Sequence, residues 1–161
     1  MSLSSTTDNR KAQDAIERAI KSLPVGRVAV AGVLEGSGGS FPDGTPVAVA
    51  AATNEYGSRD GSIPERPAFR RAFDKNRKKY DKIAADVIVR AVKSGARLDR
   101  VFQTVAMEMR SDIVKEIKGG DFAPNAPSTL RRKGQGKQPL TDTGLTAARV
   151  AFEVRDEGGA A

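Results

Sequence analysis

Apolar side chains return at Ala12, Ala15, Ile16, Ala19, Ile20 and Leu23, the spacing of one helical face. Thr7 or Asp8 supplies a cap for this helix and Pro24 a stop. Arg27 to Leu34 is a Val-rich apolar run and reads as a strand, while 35–45, crowded with Gly, Pro, Ser and Asp, reads as a mobile surface loop. The run Val47–Ala50 has strand-like composition, but its boundaries favour a short helix. Thr45 fits an N-cap, Pro46 the first helical position and Gly57 a left-handed C-cap.

After an extended stretch through Pro64 and Pro67, a long helix is expected from Ala68 to Ser94-Gly95. Its apolar stripe is Phe73, Tyr80, Ile83, Ala84, Val87, Ile88, Ala91 and Val92, and Arg70, Arg71, Lys75, Arg77, Lys78, Lys79 and Lys82 coat the remainder. A second helix opens at Leu98 and carries Val101, Phe102, Val105, Ala106, Met109, Ile113, Val114 and Ile117 on one side, with Gly119-Gly120 as its stop. The short turn between them predicts an antiparallel hairpin. One helical turn is expected at Ser128–Arg132, with Ser128 as its cap, and another at Thr143–Ala148. Val150, Phe152 and Val154 then alternate with polar positions as a closing strand. The chain therefore reads as α+β: a small antiparallel sheet packed with an N-terminal helix and a long helical hairpin. One domain is expected over residues 9–155, between flexible ends at 1–8 and 156–161.

Composition narrows the chemistry. The 161 residues contain no His and no Cys. That removes disulfides, thiolate metal sites, a cysteine nucleophile and the commonest general base, so neither metal nor cofactor is expected. No apolar run is long enough to span a membrane, and the Ser/Thr-rich start lacks the pattern of a signal peptide. A net charge of +7 suits a solvated basic surface, a nucleic-acid contact or an acidic protein partner.

Three motifs bear on catalysis or binding. Asp142-Thr143-Gly144 is the triplet of aspartic proteases, which need two such carboxylates on an almost all-β fold. Here Pro139, Asp142, Thr143 and Gly144 are expected to shape a turn into the last strand. Gly36-Ser37-Gly38-Gly39-Ser40 lacks the Lys-Ser/Thr pair of a phosphate-binding loop and reads as a flexible connection. The basic helix face and the cluster Arg131-Arg132-Lys133 with Lys137 could follow a phosphate backbone, but no aromatic residues are interleaved for base stacking. No catalytic residue is expected.

Two punctuated segments remain. Asn54-Glu55-Tyr56-Gly57 leads to Ile63-Pro64-Glu65-Arg66-Pro67-Ala68-Phe69, and Pro127-Ser128-Thr129-Leu130-Arg131-Arg132-Lys133-Gly134 leads to Pro139-Leu140-Thr141-Asp142-Thr143-Gly144-Leu145. In order and spacing, over 28–154, these blocks resemble those of the tail-completion (neck) proteins of long-tailed bacteriophages. The chain departs from the family pattern in having Tyr56 for Phe, Ala68 inserted before Phe69, and Thr141 where Ile or Val is common.

The resemblance implies a non-enzymatic virion protein, assembled in the host cytoplasm. It would form a homo-oligomeric ring at the head–tail junction, with neighbouring neck, connector and tail-terminator or tail-tube proteins as partners. DNA would pass through the lumen without being read. Tail-terminator and head-closure proteins are the nearest alternatives inside the virion, and a small basic nucleic-acid-binding protein is the alternative outside it. The segment 58–69 reads as a stiff docking arm, with Glu55, Tyr56, Gly57, Ile63, Pro64, Arg66, Pro67 and Phe69 at the interface. The competing arrangement packs the arm on its own domain with Arg66 paired to Glu55.

Overall fold

The computed structural model describes residues 3–22, 25–95, 98, 100–133, 139–141 and 144–157. Helix α1 (Leu3–Lys21) precedes strand β1 (Arg27–Gly32) and helix α2 (Val47–Tyr56). Helices α3 (Ala68–Ser94) and α4 (Arg100–Gly119) follow, then the short α5 (Pro127–Lys133) and α6 (Leu145–Ala148), and finally strand β2 (Ala151–Asp156). The fold is α+β, as the hydrophobic pattern predicts.

The α3–α4 hairpin is the main support. Gly95 closes α3 in the left-handed region, with φ 68°, and its N–H donates to the Ala91 and Val92 carbonyls. Two apolar clusters hold the helices together. Near the start of α3, Ala68 and Ala72 pack with Ile113 and Ile117 of α4 and with Ala147 and Val150. At the other end, Ala91 packs with Leu98, Val101 and Ala19 of α1. Phe73 and Ile88, expected in the buried stripe, are exposed. Ala68 and Ala72 take the core positions instead, because side chains this small allow the facing helix to approach closely.

Between the clusters lies a polar belt. Buried Asp112 accepts from the Lys79 ammonium at 2.7 and 2.9 Å, and Glu108 lies 2.9 Å from the same nitrogen. Partial burial opposes the charge on Lys79, but the hydrogen bonds to Asp112 and Glu108 outweigh it and raise the ammonium pKa. The adjacent Tyr80 hydroxyl is buried without a hydrogen-bond partner. Burial, reinforced by the Asp112 carboxylate, pushes its pKa well up.

Strands β1 and β2 pair antiparallel from Arg27↔Asp156 to Gly32↔Ala151. A two-stranded sheet is marginal alone, and α4 packs against both strands. Even so, every strand residue keeps some exposure.

Several boundaries differ from the expected ones. Helix α1 starts at Leu3, so Thr7 and Asp8 fall inside it rather than at its cap position. Leu23 and Pro24 lie outside the described residues. Pro46 occupies the N-cap position of α2, without a side-chain cap bond. Thr45 instead donates its backbone N–H to Asp43 Oδ1 at 2.9 Å. Pro127 is the first residue of α5 rather than the residue before a cap. The 35–45 loop is tied down by Phe41 N–H to the Thr45 carbonyl (2.8 Å) and Val47 N–H to the Gly39 carbonyl (3.0 Å).

Candidate interaction site

The segment after α2 begins with a conformation that requires glycine. Gly57 has φ 73° and ψ 173°, an extended positive-φ state rather than the left-handed cap the sequence suggests. A Cβ there would stand 3.0 Å from the Ile63 carbonyl oxygen and 3.2 Å from the Glu65 nitrogen. The chain can therefore fold back on itself at this point. Asp60 organises the turn that follows: its Oδ1 accepts from the Ser58 hydroxyl (2.6 Å), the Ser62 hydroxyl (2.8 Å) and the Ser62 N–H (3.1 Å). The Ser58 hydroxyl bond, then those from Ser62, lower the carboxyl pKa to about 2.

Glu55, at the end of α2, is 5% exposed and caps α3 from outside that helix. Its Oε2 accepts the Phe69 N–H and its Oε1 the Arg70 N–H, both at 2.9 Å. The carboxylate thus satisfies two of the free donors at a helix N-terminus, where negative charge is also favoured. Arg70 closes the arrangement. Its Nε lies 3.1 Å from Glu55 Oε1, its Nη2 donates to the Glu55 carbonyl at 2.8 Å and pairs with Glu65, and its guanidinium stacks over the Tyr56 ring at 4.9 Å. The Glu55 and Glu65 bonds raise the Arg70 pKa further.

Arg66 is equally buried, at 5% exposure, and engages a different part of the chain. Nε donates to the Ala123 carbonyl (2.9 Å), Nη2 to the Pro124 carbonyl (2.9 Å) and Nη1 to Asn54 Oδ1 (3.2 Å). Its backbone N–H donates to the Asn54 carbonyl. Burial lowers the guanidinium pKa. Arg66 is therefore a clamp joining α2, the arm and the segment after α4. Arg66, expected at an interface, is buried within its own domain, and the alternative Arg66–Glu55 pair does not form, since Arg70 occupies Glu55.

The exposed residues of the segment include apolar ones beside Arg59, Asp60 and Glu65. Tyr56 is 69% and Ile63 37% exposed, and Pro64 is exposed as well, whereas Pro67 and Phe69 are half-buried. Beside Tyr56 lies a shallow depression of about 230 Å³, lined by Val33, Ala48, Ala51, Ala52 and Phe69 together with the charged Glu55 and Arg70. Val49, also on α2, is exposed as well.

In the second block, Gly144 sits in the left-handed region ahead of α6 (φ 66°), consistent with a turn-shaping part. Leu140 also has positive φ, 68°, which is unusual for a branched side chain, while that side chain packs on the first apolar cluster. Nothing in the composition of Pro139-Leu140 signals it. Asp142 and Thr143 lie outside the described residues, as do 134–138.

The basic face of α3 is largely engaged with carboxylates. Arg70 pairs with Glu55 and Glu65, Arg71 and Lys75 with Glu116, and Lys79 with Asp112 and Glu108. Exposed Arg77, Lys78 and Lys82 are interrupted by exposed Asp74, Asp81 and Asp86. Among the described residues there is no group of three or more potential metal ligands and no helix long and apolar enough to cross a membrane. Comparison with family models, with curated proteins and with solved structures gave no match.

Proposed function

We propose that this chain is a structural protein of the bacteriophage neck, assembling as a ring at the head–tail junction and completing the tail or joining it to the capsid connector. The family resemblance rests on both punctuated blocks in order, and the observation that carries the reading is the first of them, from Glu55 to Phe69. Its polar members brace α2 against α3, and its remaining members leave Tyr56, Ile63 and Pro64 as a fixed apolar projection. A pre-ordered projection loses little conformational entropy on docking, and an exposed aromatic suits the centre of a protein interface. The partners would be further copies of the chain and the adjoining neck or tail proteins, in the virion.

The test is a phage lacking this protein, supplied with wild-type or variant chain. Wild type should restore joining of filled capsids to finished tails. Tyr56→Ser with Ile63→Ser should remain folded yet leave capsids and tails separate in electron micrographs. Normal joining without the protein sinks the neck reading. Strong, salt-dependent DNA binding by the isolated chain would favour the nucleic-acid alternative.

A further inference from the structure

Among the described residues the outer edge of β2 pairs with no third strand, and its charges are arranged to match a second copy of the same strand. In the β1–β2 pair the Glu157 N–H donates to the Gly26 carbonyl, which makes that residue pair hydrogen-bonded. Alternation along an antiparallel ladder then turns the backbone groups of Ala151, Glu153 and Arg155 toward β1. Phe152, Val154 and Asp156 direct theirs away from β1, and among the described residues no third strand receives them.

We propose that two copies of this chain associate through β2, pairing antiparallel about a two-fold axis at Val154 to give a continuous four-stranded sheet. Val154 then lies opposite Val154 of the second copy, and Phe152 opposite Asp156. Glu153 lies opposite Arg155, and this happens twice by symmetry. The Glu153–Arg155 positions are non-hydrogen-bonded pairs, where side chains across an antiparallel ladder come closest. Arg155 is 48% and Glu153 44% exposed, and within one copy they form an exposed ion pair at 3.6 Å on the same face, which the dimer would exchange for pairs across the two strands.

The charge pattern favours this register over its two neighbours. Centring the pairing on Glu153 opposes the two Glu153 carboxylates, and centring it on Arg155 opposes two guanidinium groups. Strand β1 offers no equivalent, since Arg27 is its one charged residue. The β2 contact is symmetric, and is distinct from the head-to-tail contact that would close a ring.

Sedimentation analysis of the purified chain over a range of concentrations tests the proposal. The wild type should show a reversible monomer–dimer equilibrium. Arg155→Glu should raise the dissociation constant at least about tenfold, by placing like charges opposite each other twice. The double exchange E153R/R155E should restore it to within about threefold of wild type. Val154→Pro removes an outward N–H that β1 does not use, and should abolish the dimer while circular dichroism shows the fold retained. A wild type that stays monomeric at millimolar concentration, a Arg155→Glu dimer as tight as wild type, or a double exchange no better than Arg155→Glu overturns the proposal.

Discussion

The two ends of α3 are secured in opposite ways. At its N-terminus, charged side chains are buried: Glu55 caps the helix and Arg66 clamps the neighbouring backbone. At its C-terminus, α1 leans on the hairpin through Ala19, with the Ser22 hydroxyl accepting the Leu98 N–H at 3.3 Å. There Ile16 and Ile20 stay 47% and 60% exposed. A hydropathy reading alone would place the isoleucines inside and the charges outside. Satisfied hydrogen bonds reverse that order, because buried charge is tolerated where donors and acceptors converge, and apolar residues stay exposed where no second surface is near.

The sharpest way to break this contrast is Arg66→Met, which keeps the stem but leaves the Ala123 and Pro124 carbonyls and Asn54 Oδ1 without their donor. Thermal or urea unfolding should show a loss of about 3 kcal/mol. Glu55→Gln retains one acceptor for two backbone donors and should cost about 2 kcal/mol, measured the same way. Gly57→Ala forces a side chain into a positive-φ extended state against the Ile63 carbonyl, with an expected loss of about 1–3 kcal/mol.

These sites also show how far a sequence can be read. The α3–α4 hairpin was legible because Ala, Val, Leu and Ile recur at helical spacing over two long segments and Gly95 marks the break. Helix α2 was legible from Pro46 and Gly57, although both do a different job from the one their types suggest. The positions of Glu55, Arg66 and Phe69 stood out, but not their bonds. Arg66 reaches carbonyls 57 and 58 residues away, and backbone acceptors leave no trace in residue identity. The choice of Arg70 over Arg66 as partner of Glu55 depends on Arg70 falling in the first turn of α3, a matter of helical phase. The start of α1 was missed because Ser4-Ser5-Thr6-Thr7 is cap and loop composition that the helix nevertheless absorbs.

The weaker end of the comparison predicts small effects. Ile16→Ser with Ile20→Ser should change unfolding free energy by no more than about 0.5 kcal/mol per site, since little burial is lost. Smallest of all is the Asp60 turn. Its carboxyl pKa is depressed from 3.8 to about 2, so the ionised form favours the folded turn. That contribution is present above the ordinary carboxylate value and disappears as pH falls through about 2. Carboxyl NMR titration, with Ser62 amide exchange as a local readout, should follow this without global unfolding. A pKa near 3.8 in the folded chain would show that the turn is not held by Asp60.

The polar belt of Lys79, Asp112, Glu108 and Tyr80 has a consequence for how the molecule comes apart. An apolar interface running the whole length of the hairpin would couple its two ends into one cooperative unit. Here the charged Lys79, Glu108 and Asp112 and the Tyr80 hydroxyl lie between the two clusters. The expected outcome is that the hairpin tip with α1 opens as one unit, separately from the sheet, α6 and the start of α3. Under mild denaturant the tip should exchange its amide hydrogens first, leaving the end that carries the braced projection intact.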